Sequence, residues 1–252
     1  MHEASMHEEN CFLTLTYRDA VTDEERLSRV SLFYPHFSGF MKRLRATFPR
    51  RRFSFLCAGE YGETNPVTGL VDGGKYRAHF HALLFGFNFP DLVPCRSLGE
   101  SDLFKSVLLD TLWRHGECRV GAVTFESAAY VARYAMKKIT GDAAKAVYTV
   151  VLPDGEIIER VPEFLRCSLR PAIGKSWFER FGRHAYAFDS VVMRGAEMQP
   201  PRYYDKQLPR VVLGMIGDAR AAAGELRAGD HTDERNVVRD VVVRAGLNKS
   251  RS

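Results

Sequence analysis

Arg77-Ala78-His79-Phe80-His81-Ala82-Leu83-Leu84-Phe85-Gly86 is the stretch on which the reading of this chain turns. It is mostly apolar, rich in Phe and Leu, and bounded by Gly73-Gly74 and Gly86, which predicts a β-strand. Successive side chains leave opposite faces of a strand, so His79 and His81 share one face, roughly 7 Å apart along the chain. Phe80, Ala82 and Leu84 then point the other way, into a core. Two imidazoles side by side on one face can grip a divalent cation. The bland alternative is a pair of hydrogen-bonded core histidines.

The preceding residues favour the cation. Phe53 to Tyr61 reads as another strand, and it ends in Gly59-Glu60-Tyr61-Gly62-Glu63. A loop containing Asn65-Pro66 and Asp72-Gly73-Gly74 leads into the histidine strand, so the two strands are expected to pair antiparallel. That hairpin brings Glu60 near the histidines. One carboxylate beside two imidazoles makes a three-ligand set with open positions, which leaves room for a substrate oxygen. Glu63, further into the loop, is the rival ligand. Either glutamate taken alone reads as a polar loop residue.

The second informative stretch is Ala128-Ala129-Tyr130-Val131-Ala132-Arg133-Tyr134-Ala135-Met136-Lys137-Lys138. It lacks Gly and Pro and is predicted helical. Tyr130 and Tyr134 are four apart and leave one face; Lys137 continues the same stripe and Lys138 sits at its edge. Tyrosines at this spacing also occur simply as packing or interface residues. The lysine on the stripe points to chemistry, because a phenol with a pKa near 10 is a weak nucleophile unless a nearby ammonium or a base activates it.

Around these stretches, Cys11 to Tyr17 reads as a strand of apolar and β-branched residues close to the start of the chain. Pro35 to Phe48 reads as an amphipathic helix with Phe37, Phe40, Met41, Leu44 and Phe48 on its inner face, stopped by Pro49. Arg50-Arg51-Arg52 is either a phosphate contact or a solvated strand edge. Ser101 to Arg114 reads as a helix capped by Ser101, and Gly116 to Phe125 as a strand, with Glu126 or Ser127 opening the tyrosine helix. Val147 to Arg160 reads as a hairpin about Pro153-Asp154-Gly155, and Ser176 to Phe181 as a short helix. Pro200-Pro201 marks a boundary. Beyond it, Ala219 to Arg227 and Asp233 to Ala245 are charged and helix-forming: an arm for DNA or a host protein, or a poorly ordered tail.

Composition bounds the classes. A chain of 252 residues with 45% hydrophobic residues can bury an ample core. The net charge of +5 favours a polyanionic partner. The five cysteines are scattered with no CxxC pair, which supports neither a disulfide framework nor a cysteine zinc site and fits reduced thiols in a cytoplasm. No apolar run reaches membrane-spanning length, and the polar start Met1-His2-Glu3-Ala4 does not read as a signal peptide.

A strand with His-x-His, an upstream Glu and a later Tyr-x-x-x-Tyr-x-x-Lys helix together resemble the HUH endonucleases: rolling-circle replication initiators, relaxases and related transposases. Phe12-Leu-Thr-Leu-Thr-Tyr-Arg18, Cys57-Ala-Gly-Glu-Tyr-Gly62, Arg77-Ala-His-Phe-His-Ala82 and Tyr130-Val-Ala-Arg-Tyr-Ala-Met-Lys-Lys138 are similar to the two-tyrosine initiators of small single-stranded DNA phages of the gokushovirus and microvirus type. So are Glu163-Phe164, Leu169-Arg-Pro171, Ile173-Gly174, Trp177 and Pro201-Arg-Tyr-Tyr-Asp205, so that the resemblance covers roughly residues 8 to 206. The chain departs from that pattern in carrying Ala78 where proline is usual, and in having less chain before its first strand.

The resemblance implies an α+β fold, a central antiparallel sheet with helices packed on it, in an endonuclease domain over 1–206 followed by a charged helical tail over 207–252. It implies Mg²⁺ or Mn²⁺ held by His79, His81 and Glu60, with Tyr130 and Tyr134 as nucleophiles and Lys137, or Lys138, steadying phenolate or phosphate. The implied reaction nicks single-stranded origin DNA, leaving a 5′-phosphotyrosine and a free 3′-hydroxyl that primes host polymerase, and later rejoins the strand. Its partners would be the origin and host helicase and polymerase, with no membrane, in the cytoplasm of a bacterial host. The alternatives are a two-tyrosine transposase or relaxase, a metal-dependent phosphoesterase without a covalent intermediate, and a non-catalytic DNA-binding module.

Overall fold

The computed structural model describes residues 1–18, 30–62, 78–95, 103–137, 141–151, 155–226, 228–230 and 232–249, without the side chains at 134–137 and a few later positions. The chain divides into two compact units, Met1–Trp177 and Phe178–Ser252.

The first unit is built on a seven-stranded sheet. Its strands are β1 (Asn10–Thr16), β2 (Ser54–Tyr61), β3 (Ala78–Phe85), β4 (Val93–Cys95), β5 (Leu103–Lys105), β6 (Cys118–Gly121) and β9 (Phe164–Cys167). They lie in the order β4-β5-β6-β1-β3-β2-β9, every pair antiparallel. The histidine strand β3 is thus interior, between β1 and β2. A separate ribbon pairs β7 (Thr149–Val151) with β8 (Ile157–Glu159), the hairpin expected there.

Strand alternation gives the sheet two different faces. One carries Leu13 and Leu15 of β1, Cys57 of β2, Phe80, Ala82 and Leu84 of β3, and Val120 of β6, all buried. Two helices supply the apolar side chains packed against it: α1 (Tyr34–Thr47) through Phe37, Phe40, Met41 and Leu44, and α2 (Val107–Trp113) through Leu109, Leu112 and Trp113. Each fully buried Leu or Phe here is worth about 1.5–3 kcal/mol. Arg43 ties the two helices together: its Nε donates to the Leu112 carbonyl at 2.8 Å and its Nη2 to that of Trp113 at 3.3 Å. These are last-turn carbonyls of α2, which no helical amide reaches.

On the other face, Ala58, Leu83 and Phe85 form a smaller cluster with Val131 of α3 (Phe125–Lys137), joined by Phe12, Ala128 and Leu165. The tyrosine helix therefore lies across the histidine-bearing face. Its start is fixed by a reciprocal pair: the Ser127 amide donates to Thr124 Oγ1 at 3.2 Å and the Thr124 amide to Ser127 Oγ at 2.9 Å.

The helix expected over 101–114 is corrected. Residues 101 and 102 lie outside the described residues, Leu103–Lys105 is a strand, and helix α2 begins only at Val107. The cap is Ser106, whose hydroxyl accepts from the Leu109 amide at 3.0 Å, while Asp91 accepts from the Leu108 amide at 2.8 Å. Phe104 pairs with Val120 across the sheet, and that pairing outweighs local helical spacing. Of the arginine cluster, Arg51 bonds Glu9 and the Gly86 carbonyl and lies over the Phe87 ring, linking the segment before β1 to the end of β3.

Helix α4 (Asp142–Tyr148) precedes the ribbon, and α5 (Lys175–Ala187) is longer than the short helix expected there. The second unit continues with the strand pair β10 (Val191–Met193) and β11 (Ala196–Met198), then α6 (Arg202–Asp205), α7 (Arg210–Leu226) and α8 (Asp233–Lys249). Arg220 of α7 holds Asp189 and Asp205 together, and Tyr186 donates to Asp205 at 2.5 Å. The hydrogen bond from Arg220 holds the Asp205 carboxyl below the usual range, and those from Asp189 and Asp205 raise the guanidinium further. No described helix is long and apolar enough to cross a membrane.

Candidate metal and tyrosine site

Antiparallel pairing assembles the site row by row. Thr16, His79 and Glu60 are direct partners across β1, β3 and β2; Thr14, His81 and Ala58 form the next row. Directly opposed residues share a face, so both histidines and the glutamate converge on the side covered by α3. Glu60 Oε1 lies 2.6 Å from His79 Nε2 and 2.6 Å from His81 Nε2. Glu60 and His81 are buried, His79 partly so.

Burial pushes the Glu60 carboxyl up. The hydrogen bonds from the two imidazoles, with their charges, outweigh that and bring its pKa down to about 2. It is therefore an anion set between two nitrogen donors. The three ligand atoms lie within 4.8 Å of one another, and among the described residues no other group of three histidine, cysteine or acidic side chains is so placed. Two imidazole nitrogens and a carboxylate oxygen suit a divalent ion such as Mn²⁺ or Mg²⁺ with coordination positions left over.

Tyr130 reaches this cluster from α3. Its hydroxyl donates to Glu60 Oε1 at 3.2 Å and lies 3.4 Å from His81 Nε2. Its ring stands edge-on to His81, with centroids 4.9 Å apart. It is 38% exposed, so the phenol is open to a substrate from solvent while its oxygen touches the cluster. The backbone of Tyr134 and Lys137 continues α3 one and two turns on; their side chains, and all of Lys138 and Glu63, lie outside the described residues.

Strand β1 adds two residues that the sequence reading placed in a strand but not in the site. Phe12 stacks on the His81 ring at 5.5 Å with 10° between planes, and Tyr130 meets Phe12 edge-on at 6.5 Å. Thr14 Oγ1 lies 3.2 Å from His81 Nδ1. The signal was the alternation Phe12, Thr14, Thr16, which becomes informative only once β1 is known to neighbour β3.

The comparisons with known proteins bear on the same segment. A family model for replication-associated proteins of the ORF2 type matches residues 10–139, which hold every residue named above. The chain is 32% identical over 214 residues to replication-associated protein VP4 of Bdellovibrio phage phiMH2K, covering 81% of this chain and 59% of that protein. It is 28% identical over 209 residues to replication-associated protein ORF2 of Spiroplasma virus 4, covering 80% and 58%. With replication-associated protein ORF4 of Chlamydia phage 1 it shares 30% identity over 220 residues, covering 83% and 48%. The matched region thus spans about half to three-fifths of these relatives' length. No solved structure matches the chain. By the family match over residues 10–139, on the sheet and helix that carry the histidine, glutamate and tyrosine cluster, this chain belongs to the ORF2 family of replication-associated proteins.

Proposed function

We propose that this chain initiates rolling-circle replication of a small DNA phage by nicking single-stranded origin DNA through a tyrosine. The observation that carries the reading is the Tyr130 hydroxyl, 3.2 Å from Glu60 and 3.4 Å from His81, at the edge of a donor set fit for a divalent ion. His79 Nε2, His81 Nε2 and a Glu60 oxygen hold Mg²⁺ or Mn²⁺. When bound, the ion supplies Lewis-acid polarisation of a phosphate oxygen.

The side chains do the rest. Glu60 accepts the Tyr130 hydroxyl hydrogen and so aims the phenol oxygen. A carboxylate titrating near 2 is too weak a base to take a phenol proton outright. Activation therefore falls to the positive stripe of α3, where Lys137, with Lys138 as the alternative, stabilises the phenolate as the proton leaves to solvent. The tyrosine oxygen bonds to phosphorus as the 3′-oxygen departs, leaving a 5′-phosphotyrosine and a 3′-hydroxyl. The ester bond is kept in exchange, so a later 3′-hydroxyl can attack it and rejoin the strand. Tyr134, one turn on, makes the second cut while Tyr130 is still joined to DNA. The free 3′-hydroxyl primes host polymerase, with a host helicase opening the duplex, in the bacterial cytoplasm.

The test uses labelled single-stranded oligonucleotides tiling the DNA that carries the gene, incubated with the protein and Mn²⁺. A protein–DNA adduct that survives denaturation is expected. Tyr130→Phe and Tyr134→Phe should each keep part of the first-cut activity, and the double variant should have none. Cut DNA without adduct would identify a phosphoesterase, binding without cutting a DNA-binding module. Adduct from the double variant would refute the nucleophile assignment.

A further inference from the structure

We infer that Thr14 is a positioning residue for the metal site: its hydroxyl selects which nitrogen of His81 faces the ion. This rests on the metal reading of Glu60, His79 and His81. His81 is gripped at both nitrogens. Nε2 lies 2.6 Å from Glu60 Oε1, and Nδ1 lies 3.2 Å from Thr14 Oγ1. The ring cannot turn freely between them, because Phe12 stacks on it at 5.5 Å and Tyr130 stands against it at 4.9 Å.

An imidazole that binds an ion through Nε2 must carry its proton on Nδ1, and the partner of Nδ1 decides how strongly that form is preferred. Thr14 Oγ1 is placed to accept that proton. A hydroxyl also donates, so the same group can serve the form in which Nε2 carries the proton toward Glu60 and Nδ1 accepts. A carbonyl or carboxylate in its place would serve only the first form. Thr14 therefore suits a histidine that must exchange a hydrogen bond to Glu60 for an ion without losing its other partner.

Thr16 supplies an internal control. It lies two residues on, on the same face of β1 and directly opposite His79, yet its hydroxyl donates to the Glu117 carbonyl at 2.8 Å. Both hydroxyls sit on the metal face of one strand, but the two are engaged differently.

The experiment is calorimetric titration of the full chain with Mn²⁺ alone, after removal of bound metal with EDTA. Thr14→Val should weaken Mn²⁺ binding about 10- to 100-fold. Thr14→Ser should restore it, and Thr16→Val should leave it unchanged. Thr14→Ala stands in should the valine variant not fold, with thermal melts of every variant run alongside. ¹⁵N-histidine spectra of the Mg²⁺-loaded chain should show His81 protonated at Nδ1, and a mixture of tautomers in Thr14→Val. Mn²⁺ binding that Thr14→Val and Thr14→Ala leave intact overturns the inference alone. So does an equal loss in Thr16→Val, which would mean that β1 as a whole had been disturbed. No Mn²⁺ binding by the unaltered chain overturns the metal reading and this inference with it.

Discussion

Acidification should loosen the first unit through Glu60. The carboxylate is 3% exposed, and burial alone would raise its pKa; the hydrogen bonds and charges of His79 and His81 instead take it from the usual 4.5 to about 2. A carboxyl whose pKa is lower folded than unfolded stabilises the fold above its unfolded value, and loses that contribution as pH falls to the folded one. The window is therefore from pH 4.5 down to about 2. At 1.36 kcal/mol per pH unit, the difference is on the order of 3 kcal/mol. That is a large part of the 5–15 kcal/mol by which a domain is usually stable. The assay is urea unfolding at a series of pH values, in EDTA, on the chain and on Glu60→Gln, which cannot titrate. The stability difference between the two should be constant above about pH 5 and shift by about 3 kcal/mol against the unaltered chain between 4.5 and 2. A difference that stays flat through that window would refute the argument that the imidazoles hold Glu60 ionised.

Substitutions elsewhere probe other parts of the geometry. His79→Ala and His81→Ala should abolish adduct formation on single-stranded DNA while leaving binding in a gel-shift assay nearly unchanged; equal loss of both would assign the histidines to folding. Gly116→Ala should destabilise the first unit by about 1–3 kcal/mol or more in urea melts, because its Cβ would fall 2.3 Å from the Arg18 amide nitrogen and 2.4 Å from the Thr16 carbonyl oxygen, backbone atoms that cannot swing aside. Gly214→Ala, in α7 with nothing within 4 Å of the added carbon, should stabilise the second unit by about 0.5–1 kcal/mol, seen as a higher melting temperature.

The parts of the fold that were legible in advance are those in which local pattern and tertiary role coincide. Alternation in 78–85 marked which side of β3 enters the core, and the hairpin argument put Glu60 opposite His79, as the register shows. The tyrosine helix was legible from its composition, and its place on the histidine face followed from the chemistry expected of it. Illegible were the features set by strands distant in sequence. Leu103–Lys105 looks helical by spacing, and only Val120 across the sheet makes Phe104 a strand residue. Phe164–Cys167 joins β2 as an edge strand from about a hundred residues away, with no alternation strong enough to announce it. Thr14 and Phe12 were hidden for the same reason: a threonine in a strand looks like any other until its cross-strand neighbour is known to be His81.

Strand β3 also constrains how this protein can change over evolutionary time. Its even-numbered residues make the core and its odd-numbered residues make the chemistry, so one inserted or deleted residue within it would turn histidines inward and phenylalanine outward together. Such a lesion cannot yield a stable but inactive protein. Quality control that removes misfolded chains would also purge these inactive ones, whereas lineages remain free to lengthen or shorten the connection between β2 and β3.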